Sequence, residues 1–165
     1  MDAGTPAISA RSATLADAAR MAELDAEARA GVVSQRWGAL YLLREAIPFD
    51  AAVLERSDAC SVVGTIDGVV LGYATVVDDP DVDGMRLALL RHLYVEPGAR
   101  DVGVGEAMMD LVLAWCEERG YQGIDALALP GDRATKNFFE RYGLTARAIL
   151  VHRALGPSAE PTTEW

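Results

Sequence analysis

The chain is poor in lysine, cysteine and histidine, and each scarcity excludes a class of function. Lys136 is the only lysine, and 15 basic residues against 25 acidic ones give a formal net charge of −10. Because a negative field repels phosphate backbones, we expect no nucleic acid partner. The two cysteines and two histidines match no Cys/His zinc spacing. They therefore predict buried, reduced thiols and no bound metal.

The sequence also lacks a long hydrophobic run and a charged leader. Its apolar stretches fall short of the roughly 18 residues that a membrane-spanning helix requires. Residues 1–9 contain no charged segment followed by an apolar one. We therefore expect no membrane partner and a cytoplasmic location. The 165 residues, 51% of them apolar and 24% charged, predict a single domain over 1–155 and a flexible tail over 156–165.

Strand-like and helix-like segments alternate along this chain. Apolar periodicity predicts strands at 8–12, 60–66, 69–77, 85–95, 122–129 and 145–155. It predicts helices at 14–31, 32–46, 106–119 and 132–142, with a further helical turn at 51–56. Asp67-Gly68 predicts a tight hairpin, because type I′ turns need positive φ at both central residues. The acidic, turn-rich segment 78–84 predicts a solvated loop.

A glycine-rich stretch, Arg100-Asp-Val-Gly103-Val-Gly105, lies between the fourth predicted strand and the next helix. Glycines before a helix let backbone N–H groups approach an anion, and the helix dipole adds partial positive charge, so the stretch predicts a phosphate site. No Gly-Lys-Ser/Thr follows, as a Walker loop would require, and the third glycine of a dinucleotide fingerprint is Met108 here. An ordinary tight turn is the other interpretation.

Three stretches together resemble the GNAT acetyltransferase superfamily. Leu93-Tyr-Val-Glu-Pro-Gly-Ala-Arg100-Asp-Val-Gly-Val-Gly105 is similar to its acyl-CoA signature. Asp132-Arg-Ala-Thr-Lys-Asn-Phe138-Phe-Glu-Arg-Tyr-Gly-Leu144 resembles its second motif, and Arg11-Ser-Ala-Thr14 with Asp17 resembles its first strand and helix cap. The resemblance implies an α/β (α+β) fold: a mixed, mostly antiparallel sheet of six or seven strands with helices on both faces.

The resemblance also implies that acetyl-CoA is the acyl donor. It would lie in a cleft where strand 85–95 splays from strand 122–129, with its pantetheine paired to the backbone like an added strand. The N-terminus of the next helix would hold the pyrophosphate, and Arg100, Arg133 or Lys136 would add positive charge. The implied cofactor residues are Leu93, Tyr94, Val95, Arg100, Asp101, Val102, Gly103, Val104, Gly105, Glu106, Asp132, Lys136, Phe138 and Phe139.

The implied reaction is transfer of acetyl from acetyl-CoA to a primary amine by direct attack in a ternary complex. Backbone donors, the N–H of Leu93 or Val95, would stabilise the tetrahedral oxyanion. The position of the family's frequent general acid, a tyrosine, is Phe139 here. Tyr142, three residues on, is the candidate substitute, with packing beneath the helix as its other interpretation.

The positions that carry a general base in relatives likewise hold no carboxylate or imidazole. They are occupied by Leu89, Arg91 and Leu127. Glu96, at the end of the strand, is the candidate base acting through water, with an ordinary turn residue as its other interpretation. Strand alternation predicts that His92 points to the face opposite Leu89 and Arg91, as a packed histidine.

The acceptor amine is the least defined part of the prediction. Trp37, Tyr41 and Phe49 are candidates for an acceptor pocket, with core packing as an equally good interpretation. Arg91 is a candidate for binding a substrate carboxylate. The acidic balance fits a cationic acceptor such as a polyamine, an aminoglycoside or a protein N-terminus. Superfamily members often dimerise through late strands, so the resemblance implies a homodimer involving 145–155. Two other functions stay open: an acyl-CoA-binding regulatory module with little turnover, and an enzyme with Cys60 or Cys116 as nucleophile.

Overall fold

The structure is a computed structural model that describes residues 4–156, with the backbone alone for Asp81 and Val82. These residues divide into two compact units, one comprising 4–29 with 47–127 and the other 30–46 with 128–156. A single domain over 1–155 stays a prediction. Residues 157–165, which make up all but the first position of the predicted tail, lie outside the described residues.

The first unit is built on a five-stranded sheet, counted over the described residues, in the order β1-β2-β3-β4-β5. Its strands are β1 (Ile8–Ser12), β2 (Ala59–Ile66), β3 (Val69–Val82), β4 (Met85–Val95) and β5 (Gly123–Ala126). The first three pairings are antiparallel, whereas β4 and β5 are parallel. The mixed, mostly antiparallel sheet is therefore confirmed, with fewer strands than the six or seven expected.

The helices are α1 (Ala18–Val33), α2 (Gly38–Arg44), α3 (Val104–Glu118) and α4 (Arg133–Arg141). A short 3₁₀ turn over Leu15–Asp17 precedes α1, and a second one covers Ala51–Glu55. Asp17 accepts hydrogen bonds from the Thr14 backbone and the Arg11 guanidinium, and Arg11 above all lowers the pKa of this carboxyl to about 2. The helix cap that the sequence predicted at Thr14 and Asp17 is thus in place.

Helices cover both faces of the sheet in the first unit. On one face, Met21 and Leu24 of α1 form a buried cluster with Val63 and Tyr73. On the other, α3 lies so close to the sheet that a Cβ at Gly64 would meet the Val104 side chain at 2.6 Å. Val63 and Gly64 are consecutive residues of β2, so their Cα–Cβ directions point to opposite faces of the sheet, one toward α1 and the other toward α3. Helices on both faces are confirmed.

Three predicted boundaries are wrong. The strand predicted over 122–129 is shorter, because β5 covers only Gly123–Ala126. The segment 78–84 is not a loop: β3 continues to Val82 and turns at Asp83-Gly84, whose φ angles are +54° and +78°. The Asp-Gly signal that correctly predicted the turn at 67–68 also occurs at 83–84. The predicted helix over 32–46 is shorter, because α1 runs to Val33 and Trp37 adopts a left-handed conformation, φ +64°, before α2.

The predicted last strand over 145–155 is also absent from the described chain. This segment has no regular secondary structure, because a strand requires a neighbour for its backbone hydrogen bonds and no strand of the described residues pairs with it. Four of its apolar side chains are 83–89% exposed: Ile149, Leu150, Val151 and Leu155. An apolar surface of this kind marks an interaction site or an aggregation liability.

Gly72 supports the close packing of α3 against the sheet. A Cβ there would lie 2.9 Å from both the Tyr94 carbonyl oxygen and Met108 Cε. We expect Gly72→Ala to lower the free energy of unfolding by about 1–3 kcal/mol, because the backbone oxygen cannot move aside. Gly98→Ala is the control, since nothing lies within 4 Å of the added carbon. Urea unfolding of the two variants should differ accordingly, and equal midpoints would contradict the packing described.

Candidate functional site

Strands β4 and β5 separate halfway along β4. Leu87 to Leu90 pair with Gly123 to Ala126 of β5, and the pairing ends there. The remainder of β4 is residues 91–95. Residues 92–95 are paired with β3 on one side, and no strand of the described chain pairs with the other side. This stretch, which we call the open edge, lies where the sequence predicted a cleft between the two strands.

Alternate residues of the open edge direct their backbone groups into the cleft. The Glu96 N–H donates to the Leu71 carbonyl on the β3 side, so residues 92, 94 and 96 face β3. The backbone N–H and C=O groups of Leu93 and Val95 therefore point away from β3. The Val95 carbonyl accepts a 2.8 Å hydrogen bond from Arg100 Nε. Of the predicted trio Leu93, Tyr94 and Val95, the first and last thus supply backbone groups to the cleft.

A β-bulge at Arg91 interrupts the alternation of β4. His92 lies opposite Thr75 and Leu90 opposite Val76, so Arg91 is an extra residue without a counterpart on β3. Leu89 lies opposite Val77, on the same face as Thr75. Leu89 and His92 therefore share one face. The prediction that they point to opposite faces is wrong, because it assumed an uninterrupted strand.

The loop after the open edge leads into an uncapped helix. Asp101 and Gly103 have φ angles of +62° and +107°, and no side chain caps α3 at Gly103. The first backbone bond of the helix runs from the Ala107 N–H to the Gly103 carbonyl, so the N–H groups at the start of α3 precede its repeating hydrogen bonds. These groups and the helix dipole suit a phosphate, although Glu106 adds one negative charge to the first turn.

Two predicted site residues next to the loop already have protein partners. Arg100, which also lies 5.5 Å from the Tyr94 ring centre, is held by its bond to the Val95 carbonyl. The Glu96 carboxylate pairs with Arg20 of α1, whose guanidinium also binds Glu23 at 2.9 Å. A base role for Glu96 would therefore require that this ion pair opens.

Most of the remaining predicted residues lie in the second unit. Asp132 caps α4 by accepting from the Thr135 backbone and hydroxyl, and Lys136 donates to Glu140 at 2.6 Å. The rings of the α4 aromatic residues contact one another in two pairs, Phe138 with Phe139 and Phe138 with Tyr142. Trp37 lies edge-on to His152 at 5.0 Å, and Tyr41 is half-buried one turn into α2.

A largely buried polar cluster, which the sequence did not predict, includes one residue of the open edge. It consists of Asp25 from α1, Tyr73 and Thr75 from β3, and His92. The Tyr73 hydroxyl donates to Asp25 Oδ1 at 2.8 Å, and the Phe49 N–H donates to Oδ2 at 3.1 Å. Asp25 lies four residues after the buried Met21 and so on the same face of α1. A carboxylate on an otherwise apolar helix face was the sequence feature that could have predicted this cluster.

The hydrogen bonds of His92 define its tautomer. Nε2 lies 2.7 Å from the Ile47 carbonyl, which can only accept, so Nε2 carries the proton. Nδ1 of the neutral ring then accepts from the Thr75 hydroxyl at 2.5 Å. Burial lowers the pKa of His92 from its ordinary value of 6.5, only partly opposed by the bond to Ile47 and the charge of Asp25.

This shift predicts a loss of stability in mild acid. Below the ordinary pKa of 6.5, the unfolded chain binds a proton at His92 that the folded chain binds less readily. The free energy of unfolding should therefore fall as the pH drops below about 6.5. Urea unfolding of wild type and His92→Phe between pH 5 and 7.5 tests this, because the variant lacks the group. A stability difference that does not change with pH would contradict the assignment.

Neither thiol is suited to nucleophilic catalysis. Burial raises the pKa of both Cys60 and Cys116 to about 11, so hardly any thiolate forms at neutral pH. Both are free cysteines; Cys116 is buried, as the sequence predicted, whereas Cys60 is half-buried. In the described residues no three His, Cys, Asp or Glu side chains cluster as metal ligands would, and no described helix is long and apolar enough to cross a membrane.

Comparisons with known proteins find similarity to acetyltransferases. The model of the acetyltransferase (GNAT) family matches residues 20–144. The chain is 26% identical over 118 residues to a Xenopus tropicalis protein described as "Probable N-acetyltransferase camello", and the match covers 68% of this chain and 53% of that protein. The chain thus spans about half the length of this curated relative.

Solved structures share the fold at low sequence identity. A ribosomal-protein-alanine N-acetyltransferase from Brucella melitensis biovar Abortus 2308 superimposes with a TM-score of 0.64 and 20% identity, over 91% of this chain and all of that one. An aminoglycoside N-acetyltransferase in complex with CoA gives a TM-score of 0.69 and 15% identity, over 95% of this chain and 100% of that one.

Proposed function

Because the chain belongs to the acetyltransferase (GNAT) family, we propose that it transfers an acetyl group from acetyl-CoA to a primary amine of a small molecule or protein, by direct attack in a ternary complex. One observation carries the proposal: the open edge of β4 ends at the uncapped N-terminus of α3. A strand edge and a helix N-terminus in succession suit a ligand with an amide chain followed by phosphates.

The open edge would bind the pantetheine arm through backbone groups of Leu93 and Val95. The N–H groups of residues 102–106 would then bind the pyrophosphate. Gly103 has no side chain, which leaves room for the phosphates to approach these groups. Arg100, braced against Val95, would add positive charge within a few ångströms, where the net charge of −10 is largely screened. Asp132, Lys136, Phe138 and Phe139 remain predictions from the second motif.

The chain would promote the reaction mainly by positioning the amine and the thioester. The neutral amine attacks the thioester carbonyl, an N–H of the open edge stabilises the oxyanion, and collapse breaks the C–S bond and releases the thiolate of CoA. One proton leaves the amine nitrogen and one is gained by the thiolate, so no net proton is needed. Glu96, through water, and Tyr142 are the proposed base and acid.

The acceptor we propose is a cationic amine. The charge of −10 favours such a ligand over an anionic one, and Trp37 and Tyr41 supply aromatic surface. Arg91 would suit an acceptor that also carries a carboxylate. We also propose a homodimer through 145–155, because its exposed apolar side chains would be buried by a second copy.

Turnover distinguishes transfer from binding alone. Acetyl-CoA is mixed with a panel of polyamines, aminoglycosides and peptides with free N-termini, and thiol release and product mass are followed together. We expect thiol release matched by one acetylated amine. Phe139, which cannot donate a proton, favours the second candidate, an acyl-CoA-binding regulatory module. Tight acetyl-CoA binding with no turnover of any amine would support that candidate instead.

A further inference from the structure

The bulge at Arg91 leaves the register of the open edge dependent on other contacts. A register shift of one residue in a strand exchanges its two faces and also exchanges which N–H groups face each neighbour. After the bulge, β4 is paired with β3 alone, so β5 cannot restrain it. The pairing with β3 and the side-chain contacts beyond the bulge therefore select the register in which the backbone N–H of Leu93 faces the cleft.

His92 is the first residue after the bulge, and it is held from several sides. Thr75 of β3 and the Ile47 carbonyl bind its two ring nitrogens at 2.5 and 2.7 Å. The rings of Tyr73 and Phe49 lie 5.5 and 6.5 Å from its own ring centre. Both nitrogens are engaged within the protein, so the ring anchors the backbone more than it exchanges protons with a ligand.

The segment that carries Ile47 is itself fixed by the buried carboxylate. Asp25 accepts the Phe49 N–H through one oxygen and the Tyr73 hydroxyl through the other. Oδ1 of Asp25 also lies 3.9 Å from His92 Nε2. The contact between His92 and Ile47 is thus tied to both α1 and β3.

We infer that His92 is a positioning residue for acetyl transfer: its bonds to Thr75 and Ile47 fix the register of β4 beyond the bulge and so direct the Leu93 N–H into the cleft. The inference rests on the proposed function for its catalytic consequence, and on the strand register alone for its structural one. His92 need not touch the reacting atoms, because the peptide group between residues 92 and 93 carries the donor.

The register is measured first, by amide hydrogen exchange in the full-length protein without ligand. In the wild type, Tyr94 should be protected by β3 and Leu93 should exchange freely. His92→Phe keeps an aromatic ring but removes both hydrogen bonds, so protection at Tyr94 should fall and protection at Leu93 should rise. Thr75→Val should shift the pattern in the same direction, whereas Thr75→Ser keeps the hydroxyl and should restore it.

The catalytic consequence is measured with the best amine from the panel. We expect His92→Phe to lower kcat by about tenfold to a hundredfold, as displacement of a donor by about 1 Å would, with KM for acetyl-CoA changed much less. His92→Gln keeps a donor for Ile47 and should recover part of the loss. Val76→Ala is the control for destabilisation, since Val76 is fully buried next to Thr75 but on the opposite face.

An unchanged exchange pattern in His92→Phe overturns the inference, whatever happens to kcat. The inference is also overturned if Val76→Ala and His92→Phe lose the same thermal stability and lower kcat by the same factor. Absence of turnover in the wild type would instead count against the proposed function, and the exchange experiment would still decide the role of His92.

Discussion

We expect Gly103→Glu to bind acetyl-CoA at least about 100-fold more weakly than the wild type, a difference of about 2.7 kcal/mol. Gly103 is the residue before α3, where its φ of +107° and its missing side chain leave the helix N-terminus open. A glutamate there places bulk and negative charge where the pyrophosphate would lie. Isothermal titration calorimetry with acetyl-CoA measures the effect directly.

Gly84→Glu is the matched control for this variant. Gly84 also has a positive φ, +78°, and its added Cβ would meet nothing within 4 Å. The change therefore introduces the same charge and a similar backbone strain at the β3–β4 turn instead of the loop. Binding equal to the wild type is expected. If both variants lost binding equally, the effect would be general and the phosphate assignment would fail.

The second large effect concerns the oxyanion. We expect Leu93→Pro to lower kcat by about 100- to 1,000-fold, the usual effect of removing one oxyanion donor. Proline removes the N–H of residue 93, which faces the cleft and not β3, so the sheet keeps its hydrogen bonds. Steady-state kinetics with the best amine gives kcat, and circular dichroism establishes that the variant is folded.

Val95→Pro distinguishes the two candidate donors on the open edge. If Leu93 stabilises the oxyanion, the loss of the Val95 N–H should weaken acetyl-CoA binding several-fold, as expected for one hydrogen bond of about 1 kcal/mol, and leave kcat nearly unchanged. The reverse pattern would assign the oxyanion to Val95. Should the proline variants not fold, an amide-to-ester replacement at residue 93 by semisynthesis removes the same donor. An unaltered kcat in the ester protein would exclude Leu93.

Local signals predicted the loop and the turn, because each depends on a few adjacent residues. The stretch from Arg100 to Gly105 needs glycine at a positive φ before a helix, and the Asp67-Gly68 turn needs positive φ twice. Both requirements can be read from residue types alone. The motif after β4 therefore predicted the loop and the start of the next helix, whereas its role as a phosphate site stays a prediction.

Contacts between distant segments were not predictable in this way. The bulge at Arg91 depends on how β3 and β4 align, and an extra residue leaves no mark in an alternating apolar pattern. Asp25 and Tyr73 lie 48 residues apart, and their hydrogen bond arises from the packing of α1 on the sheet. The strand predicted over 145–155 failed for the related reason that strand-forming side chains do not supply a partner.

A crystal structure of the complex with acetyl-CoA would establish whether the open edge of β4 and the N-terminus of α3 form one acetyl-CoA site. We expect pantetheine amides paired with Leu93 and Val95, and the pyrophosphate against the backbone of residues 102–106. Acetyl-CoA bound elsewhere, with the open edge covered by protein, would contradict it.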